Sequence, residues 1–295
     1  VAGFPCPSIF YTVSHVNIPF SIDLSGKTAV VTGGSGVLCS EMAKALAACG
    51  ANVAVLSRTK AKVDAVADAI IADGGSAIGV SCDVTDRSSV EAANATITNK
   101  FGPCDILVNG AGGNSPKGTA SKTHLKDGND LDGSFFGLDA EGFRFVFDLN
   151  IVGTVLPAQI FGEHMAKRGT GNIINLSSMS AFAPLTKVSA YSAAKAAVNN
   201  FTQWLSVHLS GVGIRVNAIA PGFFLSEQNR SLLTNEDGSL TDRGNTIISQ
   251  TPMGEFGTPD QLIGTLLWLA SDDASGFVTG TIIPVDGGFS AFSGV

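Results

Sequence analysis

From Lys27 onward the chain repeats one unit: a short apolar run, a glycine-marked turn and a segment of helical length. Thr28–Val31, Asn52–Leu56, Ala77–Ser81 and Asp105–Val108 read as strands. Glu41–Ala48, Lys60–Ala72 and Ser88–Lys100 read as helices, closed by Gly50, Gly74-Gly75 and Gly102-Pro103. Glycine ends helices because it enters the left-handed region without a Cβ penalty. The strands are unbroken apolar runs, not alternations, and a sheet buried on both faces demands that pattern. A strand–helix–strand unit of roughly 25–30 residues predicts a doubly wound α/β fold.

The repeat is interrupted twice and then resumes. Residues from about 113 to 140 are polar and glycine-rich. Glu141–Lys167 regains helical character, with Pro157 predicted to kink it near Gly153, since proline removes an N–H. Asn172–Leu176 is a strand, and an alanine-rich helix follows Pro184. Ile214–Ile219 is another strand, and residues from about 223 to 256 form the second irregular stretch. Pro259–Ala270 reads as a helix and Thr281–Val285 as the last strand. Residues 1–25, with Pro5, Pro7 and Pro19, read as an irregular arm. The expectation is one Rossmann-type domain over residues 26–295, with about seven parallel strands and helices on both faces.

Composition removes several function classes. Net charge is −7 with no lysine or arginine block, which argues against a nucleic-acid partner. The five cysteines show no CxxC and no adjacent histidine, so no metal site is expected and a reducing, cytoplasmic setting is. No apolar run approaches the roughly 20 residues of a membrane helix. The first twenty residues lack a basic n-region, so they do not read as a signal peptide.

The chemistry concentrates in 171–211. The strand there ends in Ser177 and Ser178, and Tyr191 and Lys195 stand four apart at the head of the helix. Such spacing puts both on one helical face. A tyrosine, with a pKa of about 10, is a poor base at neutral pH. A nearby ammonium favours the phenolate, and a drop of about three units corresponds to about 4 kcal/mol. A lone Tyr–Lys pair is also what a half-buried ring beside a solvated amine would give.

Its company decides the matter. The first strand runs into Gly33, Ser35, Gly36, Val37 and Leu38, a turn that brings backbone N–H groups to a pyrophosphate. The second strand ends in Ser57, Arg58 and Thr59 with no carboxylate, which suits a ribose 2′-phosphate and favours NADP over NAD. Arg58 and Lys60 could equally be solvated at a helix start. Asp83 and Val84 end the third strand, where Asp83 either borders an adenine or caps the next helix. Asn109, Gly110 and Ala111 end the fourth. In an open parallel sheet, ligands sit at such carboxyl ends.

Thr32-Gly33-x-Ser35, Asn109-Gly110-Ala111-Gly112, Asn150, Ser178, Tyr191-x-x-x-Lys195 and Pro221-Gly222 together resemble the short-chain dehydrogenase/reductase family, from about residue 22 to the end. The resemblance implies that Tyr191 is the general acid/base, that Lys195 lowers its pKa and binds the nicotinamide ribose, and that Ser178 holds the substrate oxygen. It implies that Asn150 keeps the helix kink and a water next to Lys195, and that Asn109 stabilises the central sheet. Residues after Pro221 and Gly222, including Phe224 and Ser226, would meet the nicotinamide. It also implies a homotetramer built on the two long helices. One departure stands out: Val37 and Cys39 replace the last two glycines of the family turn, and Gly36 comes one residue early.

Within the family, GGNSPK, FVFDLNIVGT and PGFFLSEQNR resemble the sugar-acid branch, whose members include reductases interconverting fructuronate and mannonate. A small carbonyl or alcohol substrate is then expected, with Asn114, Lys117, Ser180, Gln228, Asn229 and Arg230 as candidate contacts. Another carbonyl, such as a ketoacyl thioester, is the alternative if Phe182, Phe223 and Phe224 form a wide apolar pocket.

Overall fold

A computed structural model describes residues 21–225 and 230–294. Residues 1–20 of the arm and the candidate contacts Ser226, Gln228 and Asn229 lie outside the described residues. Seven strands form one parallel sheet: β1 (Thr28–Thr32), β2 (Asn52–Ser57), β3 (Ser76–Ser81), β4 (Ile106–Asn109), β5 (Gly171–Leu176), β6 (Ile214–Pro221) and β7 (Ile282–Val285). Their order is β3-β2-β1-β4-β5-β6-β7, so the winding reverses between β1 and β4. Helices α1 (Val37–Ala48), α2 (Lys60–Ala72), α3 (Arg87–Phe101), α4 (Ala140–Phe147), α5 (Gly153–Arg168) and α6 (Ser189–Ser210) connect the first six strands. Four shorter helices precede or approach β7: α7 (Arg230–Leu233), α8 (Asp242–Ser249), α9 (Ile263–Ala270) and α10 (Asp272–Ser275).

Strand residues alternate between two cores, because successive Cβ atoms point to opposite faces. Ala29, Val31, Val53, Val55, Val108 and Ile174 pack with Met42, Leu46 and Leu266 on one face. Val30, Ala54, Leu56, Leu107, Ile173 and Val216 pack with Ile97, Phe161 and Leu205 on the other. Both faces are apolar, and this explains the unbroken strands. A polar ladder crosses the centre of the sheet. Asn109 donates to Asn175 Oδ1 at 2.9 Å, and Asn175 donates to Thr202 Oγ1 on α6 at 2.9 Å.

The helical run is interrupted directly before Gly153, by a π turn and not at Pro157. Between α4 and α5 lies one π-helical turn, Asp148–Val152, with Asn150 fully buried in it. Pro157 sits inside α5, one to two turns later. A π turn carries an extra residue, and such turns recur at functional sites. By length and composition alone the helical run Ala140–Arg168 could cross a membrane, but half of its most apolar stretch is buried within the fold. Phe161 and Met165 of that run have no exposure and serve the core.

Candidate active site

An open cleft of about 300 Å³ lies at the carboxyl ends of β1, β4, β5 and β6. Its floor is the β1–α1 turn. Gly33 takes φ +64°, and a Cβ there would lie 2.8 Å from Ala111 N and Gly110 O, so the turn packs directly on the end of β4. Thr32 Oγ1 accepts from the N–H groups of Gly110 and Ala111 at 3.1 and 3.2 Å, tying the two strand ends together. Gly36 is the N-cap of α1, and no side chain caps that terminus. The first N–H groups of α1 are therefore left for an external acceptor, and the helix dipole favours an anion there. Ser35 Oγ donates to Ser57 Oγ at 2.9 Å, linking this floor to the end of β2.

The departure from the family glycines has a local compensation. Cys39 is buried, with its Sγ 3.8 Å from Gly110 O. A Cβ on Gly110 would come within 2.2 Å of that sulfur. The space a glycine at position 39 would leave open is filled by the thiol, and Gly110 supplies the clearance. Burial pushes the Cys39 thiol up to about 11, against the opposing influence of Lys195. That makes it an inert packing group at neutral pH.

The π turn places Asn150 under the opposite wall. Asn150 Nδ2 donates to Gly113 O and to Val146 O, both at 2.7 Å, and Oδ1 accepts from Gly113 N at 3.3 Å. A Cβ on Gly112 would lie 2.7 Å from Asn150 Oδ1 and 3.1 Å from Lys195 Nζ. Gly112 thus marks where the π turn, the β4 loop and α6 meet. The sequence placed Gly112 at the end of the fourth strand without a contact of its own and gave Gly113 no site role, although three glycines within residues 110–113 carried the signal.

On α6, Lys195 is buried, and its ammonium donates to Leu176 O at 2.7 Å. Nζ lies 5.7 Å from the centroid of the Tyr191 ring. Burial pulls the Lys195 ammonium down to about 8. Burial also raises the Tyr191 phenol above its ordinary value, opposed by a hydrogen bond from Ser178. Desolvation is the larger influence on both groups in this arrangement. Ser178 ends β5 and caps a short 3₁₀ turn, Met179–Ala181. Pro221 and Gly222 at the end of β6 close the cleft.

Other expected residues fall elsewhere. Arg58 and Thr59 are exposed at the end of β2, while Lys60 pairs with Asp64 at 2.5 Å within α2. Asp83 is not the cap of α3; Asp86 is, accepting from Ser88 N. Asp83 instead accepts from Thr85 N and Oγ1, which hold its carboxyl low, with Arg58 assisting. Val84 is buried against the site of Gly153. Phe224 is buried and, with Phe223, lines a separate cavity of about 210 Å³ alongside Met253 and Asp286. Phe182 is 47% exposed, so the three phenylalanines do not form one wide apolar pocket. Asn114 donates to Thr119 Oγ1, Lys117 faces Asp139 at 3.6 Å, and Arg230 opens α7; none of the three lines the cleft. Ser180 is 2% exposed and lies behind Ser178. Among the described residues no group of His, Cys, Asp and Glu is placed to hold a metal ion.

A hydroxyl, a phenol and an ammonium beside an uncapped helix terminus at the sheet's reversal point define a dinucleotide-dependent oxidoreductase architecture. A family model described as Enoyl-(Acyl carrier protein) reductase matches residues 36–290, and the chain belongs to the short-chain dehydrogenase/reductase family of oxidoreductases. It is 55% identical over 279 residues to an uncharacterized oxidoreductase, UxuB, of Bacillus subtilis (strain 168), covering 94% of this chain and 100% of that one. A solved Haemophilus influenza protein, provisionally described as a D-mannonate oxidoreductase and holding NAD, is 50% identical with a TM-score of 0.89. That match covers 95% of this chain and all of the other. A gluconate 5-dehydrogenase from Burkholderia cenocepacia, in complex with NADP and tartrate, is 29% identical with a TM-score of 0.77, covering 92% and 98%.

Proposed function

We propose that the protein moves a hydride between NADP(H), in preference to NAD(H), and a keto or hydroxy carbon of a sugar acid of the fructuronate/mannonate kind. The carrying observation is that Ser178, Tyr191 and Lys195 line the same cleft as the uncapped β1–α1 turn. The two solved relatives above hold a nicotinamide cofactor, one of them in complex with NADP and tartrate. In this reading the cofactor supplies the hydride, and the chain holds it and manages one proton. The N–H groups at the head of α1 hold the pyrophosphate, and Ser57 with Arg58 receives the 2′-phosphate. Asp83 and Val84 flank the adenine, and Asn109, Gly110 and Ala111 border the ribose.

During reduction the substrate oxygen sits between Ser178 and Tyr191. Ser178 donates to it, and the Tyr191 phenol transfers its proton as negative charge develops. The Lys195 ammonium, held by Leu176 O, stabilises the phenolate left behind. Asn150 fixes Gly113 and the wall that confines Lys195. Oxidation runs the same steps backward. In this reading selectivity comes from the stretches 113–140 and 230–256. The second stretch is closed at its base, where Leu225 N donates to Gly257 O and Gly257 N to Phe223 O.

The setting is the reducing cytoplasm, in keeping with four free cysteines among the described residues. The exposed Trp204 and Val207 on α6, with Phe145 on α4, support homotetramer formation through the long helices, testable by mass in solution. The first functional test compares initial rates of NADPH and NADH oxidation with fructuronate, 5-ketogluconate and a ketoacyl thioester. Fastest turnover of a sugar acid with NADPH supports the reading; turnover of the thioester alone overturns the substrate class. Arg58→Asp should shift preference toward NADH, and an unchanged preference would place the 2′-phosphate elsewhere.

A further inference from the structure

Ser180 has no place in the mechanism above and does not reach the cleft surface. The 3₁₀ turn after β5 folds it back beneath Ser178. Ser178 Oγ accepts two hydrogen bonds there, from Ser180 N–H at 3.2 Å and from Ser180 Oγ–H at 3.0 Å. A serine hydroxyl has two lone pairs and one proton. With both lone pairs engaged from the buried side, Ser178 has only its proton to offer to the cleft that it lines together with Tyr191.

We propose that Ser180 is a positioning residue: its hydroxyl backs Ser178 and locks it as a hydrogen-bond donor toward Tyr191 and the substrate oxygen. Without that backing, Ser178 could rotate and accept from Tyr191 or from the substrate alcohol. With it, Ser178 meets every charge that develops on either oxygen as a donor. Accepting two bonds also polarises its O–H, since hydrogen bonds in a chain strengthen one another. The remaining groups around the phenol do not duplicate this effect. Lys195 comes from α6 itself, Cys39 from α1 sits near Lys195, and Tyr191 packs with Phe143 and Ile151 on the apolar cluster of Val146, Ala190 and Ala194.

The inference rests on the hydride-transfer reading only for the substrate oxygen, so one readout avoids substrate altogether. The chain has two tyrosines, Tyr11 and Tyr191. Magnetic resonance of isotope-labelled tyrosine therefore gives two signals, and Tyr191→Phe assigns them. In Ser180→Ala the Tyr191 signal should titrate at higher pH than in the wild type, and Ser180→Thr, which keeps the hydroxyl, should restore it. With a turned-over carbonyl, Ser180→Ala should lower kcat about tenfold, the worth of about one hydrogen bond, with KM little changed. Coincident titrations of Ser180→Ala and wild type overturn the proposal, as does a shift that Ser180→Thr leaves in place. If Ser180→Ala does not fold, Ser180→Cys carries the test. Its weaker donor should move the titration the same way by less, and no movement overturns the proposal. A wild type that reduces no carbonyl removes the substrate reading, while the titration still decides the role of Ser180.

Discussion

Gly112→Ala adds one methyl group at the point where three elements converge. Gly112 does not occupy the left-handed region, so its backbone accepts an alanine. The new Cβ would stand 2.7 Å from Asn150 Oδ1 and 3.1 Å from Lys195 Nζ, where ordinary contact begins at 3.4 Å. Asn150 must then retreat by about 0.7 Å and Lys195 by about 0.3 Å. The bond from Gly113 N to Asn150 Oδ1, already 3.3 Å long, breaks first. Its loss costs about 1 kcal/mol, a fall in Tm of about 2 °C for a chain of this size. Activity is more sensitive than stability, because a displacement approaching 1 Å near reacting groups can cost about 100-fold. The expected result is a folded protein whose kcat falls roughly 10- to 100-fold. Steady-state kinetics and thermal unfolding on the same preparation check it. Wild-type kcat in a folded Gly112→Ala would refute the coupling of Asn150, Gly112 and Lys195, and a protein that fails to fold would refute the claim that the site alone is disturbed.

Tyr191→Phe should abolish turnover while leaving NADPH affinity near the wild-type value, checked by kinetics and calorimetric titration; retained turnover would remove the proton-transfer role. Lys195 holds its charge below about pH 8, so the reduction rate should be level at neutral pH and fall above about 8, which a kcat–pH profile reads directly. The folded-state value lies below the ordinary 10.5, so the native state binds fewer protons than the unfolded chain between 8 and 10.5, and stability should rise with pH across that window. Lys195→Met should flatten that rise in denaturant titrations. Arg168→Ala removes the partner of Asp105 at 2.7 Å, whose other carboxyl oxygen accepts from Thr28 N. Because the pair is partly exposed, the expected cost is about 1 kcal/mol in chemical unfolding, with kcat unchanged.

The sequence by itself determined the architecture and the chemical set. Unbroken apolar strands and glycine-closed helices specify a parallel sheet covered on both faces, and local patterns suffice because the period of each element is written in consecutive residues. The four-residue spacing of Tyr191 and Lys195 on one helix was legible for the same reason. What only the tertiary structure decided are relations between residues far apart in the chain. Cys39 fits because Gly110 faces it across the β1–β4 boundary, seventy-one positions away. The interruption before Gly153 is a π turn in which the Asn150 amide donates to the distant Gly113 carbonyl as well as to Val146. Ser180 turned from a candidate substrate contact into a residue behind Ser178, since the 3₁₀ turn reverses its direction. Burial shifts both Tyr191 and Lys195, and burial is a property of the packed whole that no spacing of residues records.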